Sequence, residues 1–200
     1  KHYDDLTKFL RNENYINASC NVLEVGSNIG YYLKYIKPYV NQVIGVDPAA
    51  NIVREANSLG IPTICDFFSE SFAKKASENI GRVDTLIARH CFAHNPNPHE
   101  LLRGAKKLLT SNGYLVIENA YIVNTIEANE FDQIYHEHMF YYSIHSMIRA
   151  LEINGLSLIN VLISKIHGGS IVFVAQKYKK GLKINPSIQS YLAKEKQVLS

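Results

Sequence analysis

Apolar residues in this chain fall into two patterns. Short unbroken runs alternate with stretches whose apolar positions recur every three or four residues. The runs predict strands over 21–26, 42–47, 61–65, 83–88, 114–118, 156–163 and 171–175. The longer-period stretches predict a short helix within 2–16 carrying Leu6, Phe9 and Leu10 on one side, and further helices over 31–36, 51–58, 69–79, 99–109 and 144–154. Their expected stops are Pro38, Gly60, Gly81, the Ser111-Asn112-Gly113 triplet and Gly155. Residues 119–129 read as a lead-out from the fifth strand. Strand and helix alternating in this way predict an α/β domain on a parallel sheet. The Gly168-Gly169 pair inside the turn over 166–170 joins the last two runs as a hairpin, so the final strand is expected to be antiparallel.

The first strand ends in Glu24-Val25-Gly26-Ser27-Asn28-Ile29-Gly30, and a helix follows at once. Strand, Gly-rich turn and helix open a nucleotide-binding α/β unit, because glycine lets backbone approach a ligand and the helix start offers free N–H groups. The spacing Glu-x-Gly-x-x-x-Gly lacks the full Gly-x-Gly-x-x-Gly of dinucleotide folds, so a pyrophosphate is not the obvious ligand. The second strand ends in Asp47, where such folds place a carboxylate on ribose hydroxyls; Pro48 and Ala49 after it also fit a helix cap. After the third strand, Asp66 can accept from an adenine amino group with Phe67 against the ring, or cap a helix whose start carries two core phenylalanines. Arg89, His90 and His94 follow the fourth strand at its carboxyl end, the edge where open α/β sheets bind ligands.

The segment that needs most explanation is 131–142. It places Tyr135, His136, Glu137 and His138 side by side among aromatics. Two imidazoles and a carboxylate handle protons near neutral pH, and they are costly to bury without partners, so the segment is expected to line a cleft over the sheet's carboxyl edge. In a regular strand Tyr135 and Glu137 would point away from His136 and His138, so a turn or irregular stretch is expected. A metal site on His136, Glu137 and His138 lacks a further ligand group nearby, and no metal is expected. His136 reads as a structural hydrogen-bonder, and His167 as a residue of the hairpin turn that either touches substrate or stabilises the turn.

Composition narrows the function classes. Hydrophobic residues are 46% and charged residues 20% of 200, with a net charge of +3, ordinary for a globular domain and too small to argue for nucleic acid. No apolar run reaches about 18 residues, so no membrane span is expected. Cys20, Cys65 and Cys91 are far apart and odd in number, which fits reduced thiols and a cytoplasmic location better than disulfides or zinc. The opening Lys1 is read as the mark of a processed product or a piece of something longer. Lysines at 177, 179, 180, 183, 194 and 196 give the end a different character, so 179–200 is expected to be a Lys-rich tail or the start of a further domain.

Glu-x-Gly-x-x-x-Gly, an acid ending strand two and a terminal antiparallel hairpin resemble the class I S-adenosylmethionine-dependent methyltransferases. Ala88-Arg-His-Cys-Phe-Ala-His94, Asn97-Pro-His99, Glu130-Phe-Asp-Gln-Ile-Tyr-His-Glu-His-Met-Phe-Tyr-Tyr-Ser143 and Ile166-His-Gly-Gly-Ser170 resemble, more closely, the sugar C-methyltransferases. The resemblance covers about residues 5–178. It implies a Rossmann-like fold over 1–178, a seven-stranded mostly parallel sheet with its last strand antiparallel and helices on both faces. It implies S-adenosylmethionine held by Gly26, Ser27, Asn28, Gly30, Asp47 and Pro48, with Glu24, Asp66, Phe67 and Arg89 counted with that cleft. It places Tyr135, Glu137, His138 and His94 at the active site, and implies methylation of a carbon next to the ketone of a nucleotide-linked deoxy sugar. The family's Gly-Ser-Asn-Asp-Gly is here Gly-Ser-Asn-Ile-Gly, with Ile29 in place of an acid, and His90 stands where the family has Asn. The family's N-terminal zinc-cysteine domain and C-terminal domain have no counterpart in these residues, so the chain is expected to be either the catalytic core of a longer protein or a compact relative that holds its substrate differently, and no zinc is carried over. An O- or N-methyltransferase on another small molecule and a non-catalytic cofactor-binding subunit are the competing functions.

Overall fold

The structure, a computed structural model, describes residues 2–130, 134–164 and 169–199. The apolar runs form a seven-stranded sheet: β1 (Asn21–Val25), β2 (Gln42–Asp47), β3 (Thr63–Cys65), β4 (Val83–Arg89), β5 (Leu109–Ala120), β6 (Leu156–Ser164) and β7 (Ser170–Lys177). The order is β3-β2-β1-β4-β5-β7-β6, parallel except for β7, which runs antiparallel to both neighbours. This is the class I methyltransferase fold. The runs are unbroken because both sheet faces are covered, so alternate residues of one strand enter two different cores. Leu23, Ile44, Leu86, Leu115, Ile117 and Phe173 face one core, and Val22, Val43, Ile87, Val116 and Val172 face the other.

The helices are α1 (His2–Asn12), α2 (Tyr31–Ile36), α3 (Ala50–Ser58), α4 (Glu70–Asn79), α5 (Pro98–Leu108), α6 (Ile122–Glu127), α7 (Ile144–Ile153) and α8 (Ser187–Val198). Three of them start on side-chain caps, α7 on Ser143, which accepts from the Ser146 N–H. Ser69 accepts from the Phe72 N–H and Asn97 from the Glu100 N–H, each meeting one of the free donors of a helix start.

Four local expectations are corrected. Leu109 is not the last helical residue but the first of β5, fully buried and paired with Val83. The Ser111-Asn112-Gly113 triplet is a bulge inside that strand, since the next pair in register is Thr85 with Tyr114. Turn-forming residues in a bulge look the same in sequence as a helix stop. The third strand begins at Thr63, not at residue 61, because Pro62 has no N–H to give the ladder. The lead-out from β5 contains α6, whose six residues are too few to show a helical period.

Lys179, Lys180, Lys183, Lys194 and Lys196 are exposed, whereas Lys177 ends β7 with its Nζ on the Leu109 carbonyl at 2.7 Å; one face of α8 returns to the domain and buries Ile188 and Glu195. The Glu195 carboxylate accepts from the Tyr121 hydroxyl at 2.9 Å, the Ile144 N–H at 2.5 Å and the His145 N–H at 3.0 Å. A buried carboxylate is stabilised there by the positive end of α7 and three donors. Through it, α8 braces both ends of the segment 121–144.

Candidate active site

Strand order reverses between β1 and β4, where the helices after them leave on opposite sides and open a crevice at the carboxyl edge. Two neighbouring cavities occupy that edge.

The first, about 290 Å³, is walled by Tyr3, Glu24, Gly26, Ser27, Asn28, Tyr31, Tyr32 and Arg89. Its turn is held by main chain: Gly26 N–H and Ser27 N–H donate to the Val46 carbonyl at 2.8 and 3.3 Å. Gly26 and Gly30 have φ of +65° and +80°, and a Cβ at either would come within 2.9 Å of Cys91 or 2.7 Å of Ile61. Asp47 braces the same turn, accepting from Asn28 N–H and Ala49 N–H, both at 3.0 Å. Pro48 is exposed beside it. Asp66 accepts from Phe67 N–H at 2.8 Å, and the Phe67 ring is 74% exposed rather than packed in the core, whereas Phe68 is buried there.

Arg89 enters this wall with its guanidinium already committed. It donates to Glu118 at 3.1 Å and Glu24 at 3.3 Å and lies over the rings of Tyr32 and Tyr3 at 4.4 and 4.9 Å. One cation therefore serves two buried carboxylates. Burial works to raise the Glu118 carboxyl, but the His2 hydrogen bond and the charges of His90, His2 and Arg89 outweigh it and hold it below the usual range. Glu24 has only its share of Arg89. Burial, with the Glu118 charge adding, pushes it up to about 8, and its Oε2 has no hydrogen-bond partner among the described residues. His2, His90 and Glu118 also offer ligand atoms within 4.8 Å of one another, but Arg89 places positive charge on the same carboxylate.

A raised carboxyl in the folded state contributes stability that is present below the unfolded value near 4.5 and is lost as pH rises through about 8. Glu24→Gln is expected to remove that slope, so the melting temperature of the variant should gain on the wild type from pH 5 to pH 8. Parallel melting-temperature curves for the two proteins would contradict the assignment.

The second cavity, about 340 Å³, is lined by His90, Ala93, His94, Asn119, Ala120, Tyr135, His138, Phe140, Tyr141 and Ser170. Residues 134–142 reach it as an irregular segment with a turn at His136 and Glu137, as the side-chain alternation required. His138 N–H closes on the Tyr135 carbonyl at 3.0 Å, and Met139 and Phe140 N–H donate to the Ala93 carbonyl at 3.1 and 3.3 Å. The turn brings the Tyr135 hydroxyl to His138 Nε2 at 2.8 Å, and the His94 ring centroid lies 4.9 Å from that of His138. Tyr135, His138 and His94 thus meet on one wall. Glu137 does not: its side chain is exposed and its backbone carbonyl contacts His94 Nδ1 at 2.7 Å. A carbonyl only accepts, so His94 carries its proton on Nδ1, and in the neutral ring Nε2 is an acceptor. His136 is exposed and off the cavity wall. Phe131, Asp132, Gln133 and His167 lie outside the described residues.

The sequence reading missed Tyr3, Tyr32, Glu118, Asn119 and Tyr141 as wall residues. Glu118 and Asn119 had a usable signal, since they end a strand at the edge where ligands bind. His90 adopts φ +51°, a conformation that costs a non-glycine residue about 1 kcal/mol or more, with its N–H on the Glu118 carbonyl at 2.8 Å. Cys91 is half-buried against Gly26, and the burial of its thiol pushes it up to about 12, away from nucleophilic chemistry.

Comparison with known proteins agrees with this architecture. The family described as Methyltransferase domain matches residues 2–161. The C-methyltransferase NovU of Streptomyces niveus is 35% identical over 175 residues, which is 88% of this chain and 42% of that protein. The chain therefore spans less than half the length of that relative. Among solved structures, a SAM-dependent methyltransferase from Archaeoglobus fulgidus superposes with a TM-score of 0.69 at 15% identity, covering 88% of this chain and 94% of its own. Magnesium protoporphyrin IX methyltransferase (ChlM) from Synechocystis PCC 6803, with bound SAH, gives 0.66 at 14% identity, covering 88% and 82%. At those identities the structures speak for the fold. The fold and crevice define a class I methyltransferase domain. The chain belongs to the methyltransferase-domain family and is a domain of the S-adenosylmethionine-dependent kind.

Among the described residues no helix is long and apolar enough to cross a membrane.

Proposed function

We propose that the protein is a C-methyltransferase that removes a proton from carbon next to the ketone of a nucleotide-linked deoxy sugar and methylates the resulting enolate. The observation that carries this reading is the Tyr135 hydroxyl held 2.8 Å from His138 Nε2, on a cavity wall shared with His94 and one residue along from the cofactor cleft at Arg89. The 35% identity to a C-methyltransferase supports it.

The first cavity fits S-adenosylmethionine. Glu24 Oε2 and Ser27 Oγ are buried there with no hydrogen-bond partner among the described residues, and no side chain larger than glycine fits at 26 or 30. Gly26, Ser27, Asn28, Gly30 and Pro48 would form its cradle. Asp47 has used two of its roughly four acceptor positions and keeps the others for ribose hydroxyls. Asp66 has one oxygen left for an amino group, and the exposed Phe67 ring offers a stacking face. Bound there, the cofactor supplies an electrophilic methyl group; the protein's work is alignment and making the carbon a nucleophile.

His138 takes the α-proton onto its ring, and the C–H electron pair moves into a carbon–carbon double bond while the ketone oxygen becomes the enolate oxygen. Tyr135 orients the ring through their shared hydrogen bond, and the Glu137 carbonyl fixes His94 across from it.

Deuterium wash-in tests the reading. In D₂O, with S-adenosylhomocysteine in the cofactor's place, the full-length protein is expected to exchange one carbon-bound hydrogen of a nucleoside-diphosphate-linked deoxy keto-sugar. No exchange above the protein-free rate, with product methyl groups on oxygen or nitrogen by NMR, would sink it in favour of an O- or N-methyltransferase.

A further inference from the structure

Enolate formation needs donors at the developing oxygen. His138 acts as a base through Nδ1 when its Nε2–H donates to the Tyr135 oxygen, which ties the Tyr135 hydroxyl to the position of that ring, and His94 presents an acceptor in its neutral form, with its proton on Nδ1 against the Glu137 carbonyl. Asn119 differs from both. It ends β5 at the carboxyl edge, lines the same cavity and is 1% exposed. Neither its Nδ2 nor its Oδ1 has a hydrogen-bond partner among the described residues. A buried amide without partners is rare and destabilising in a folded protein, so its persistence on a cavity wall calls for a ligand that completes it. Its backbone is fixed by β7 through the Asn119–Ile171 pair, so the amide is presented from a rigid strand.

We infer that Asn119 is a substrate-binding residue whose side-chain N–H donates to the ketone oxygen of the substrate and holds it more tightly as it becomes the enolate. The inference rests on the proposed C-methylation and assigns it an oxyanion donor. The same amide's carbonyl accepts from a neighbouring hydroxyl of the sugar, which favours a polyhydroxylated ketone over a plain one. No atom is transferred by Asn119: the proton goes to His138, the electron pair to oxygen, and the amide only stabilises the charge that results.

The test uses Asn119→Leu, which keeps the volume and removes both polar groups. Thermal unfolding of the ligand-free protein should rise in midpoint, because an unsatisfied amide has gone. Exchange of the keto-sugar hydrogen and kcat should both fall by about a hundredfold, as for loss of one oxyanion donor. S-Adenosylhomocysteine affinity should be unchanged. A structural role would instead lower the midpoint. Asn119→Ala, which cannot overpack, should show the same loss of exchange and covers the case in which the leucine variant does not fold. Wild-type rates in either folded variant, or a lowered midpoint in Asn119→Leu, would overturn the assignment. If the wild type itself neither exchanges nor methylates the keto-sugar on carbon, the functional reading has failed, and that outcome is distinct from an active wild type with an equally active Asn119→Leu.

Discussion

Replacing His138 with alanine is expected to lower kcat by about 10²–10⁴-fold, the usual contribution of a positioned general base. The fold should not suffer. His138 sits on a turn at the cavity wall, half-exposed, and neither hydrophobic core includes it. Substitutions outside a core and away from special features typically change stability by less than about 0.5 kcal/mol. S-Adenosylhomocysteine should bind the variant as it binds the wild type, because the cradle around Gly26 and Asp47 is a separate cavity. Tyr135→Phe keeps the ring that lies against His138 at 4.1 Å but removes the shared hydrogen bond, so it should lose part of the same rate. Glu137→Gln makes the contrast: His94 is held by the residue-137 backbone, which the substitution leaves in place. Steady-state kinetics with matched calorimetry reads all three. A His138→Ala protein with wild-type kcat would remove the base from the mechanism, and a loss of cofactor affinity equal to the loss of rate would make the residue a structural one.

Arg89→Met should have the largest effect on stability. It removes the one guanidinium that lies between the Glu24 and Glu118 carboxylates, whose side chains are 4% and 0% exposed. Removing one partner of a buried ion pair typically costs about 3–5 kcal/mol, since the remaining charge is left uncompensated. For a domain of this size that is a fall of about 6–20 °C in melting temperature. Glu24 holds its proton to about pH 8, so at pH 5 only Glu118 is left charged without Arg89, whereas towards pH 8 Glu24 ionises as well; the destabilisation should therefore be smaller at pH 5 than at pH 8. A fall of less than about 1 kcal/mol at pH 8 by denaturant titration would show that water, not Arg89, compensates these carboxylates.

Those two residues show what could be read along the chain. His138 and Tyr135 stood out because protonatable and aromatic side chains in unbroken succession are hard to place in a core, and their spacing required the turn that is found. Arg89 stood out only by its place at a strand end. Its spacing from Glu24 and Glu118, 65 and 29 residues, says nothing about an ion pair. The register of β4 with β5 and β1 makes that pair, by setting Arg89 beside Glu118 and Ile87 beside Glu24. The Ser111–Gly113 bulge and α6 were hidden for a related reason, because each is too short for a period and is stabilised by partners distant in sequence.

The sequence alone determined the sheet, its two buried faces, the Gly-rich turn and the acid that follows it, because those depend on local periodicity and on backbone conformations that particular residues permit. It also showed which residue types the chemistry had to use. Only the tertiary structure decided how those residues divide the work. It separated Glu137's exposed carboxylate from its backbone contact with His94, and gave Glu24 and Glu118 opposite acidities around one arginine. It also left the Asn119 amide buried with no partner among the described residues. Each of these depends on distance, burial and orientation between segments far apart in the chain, which no local pattern encodes.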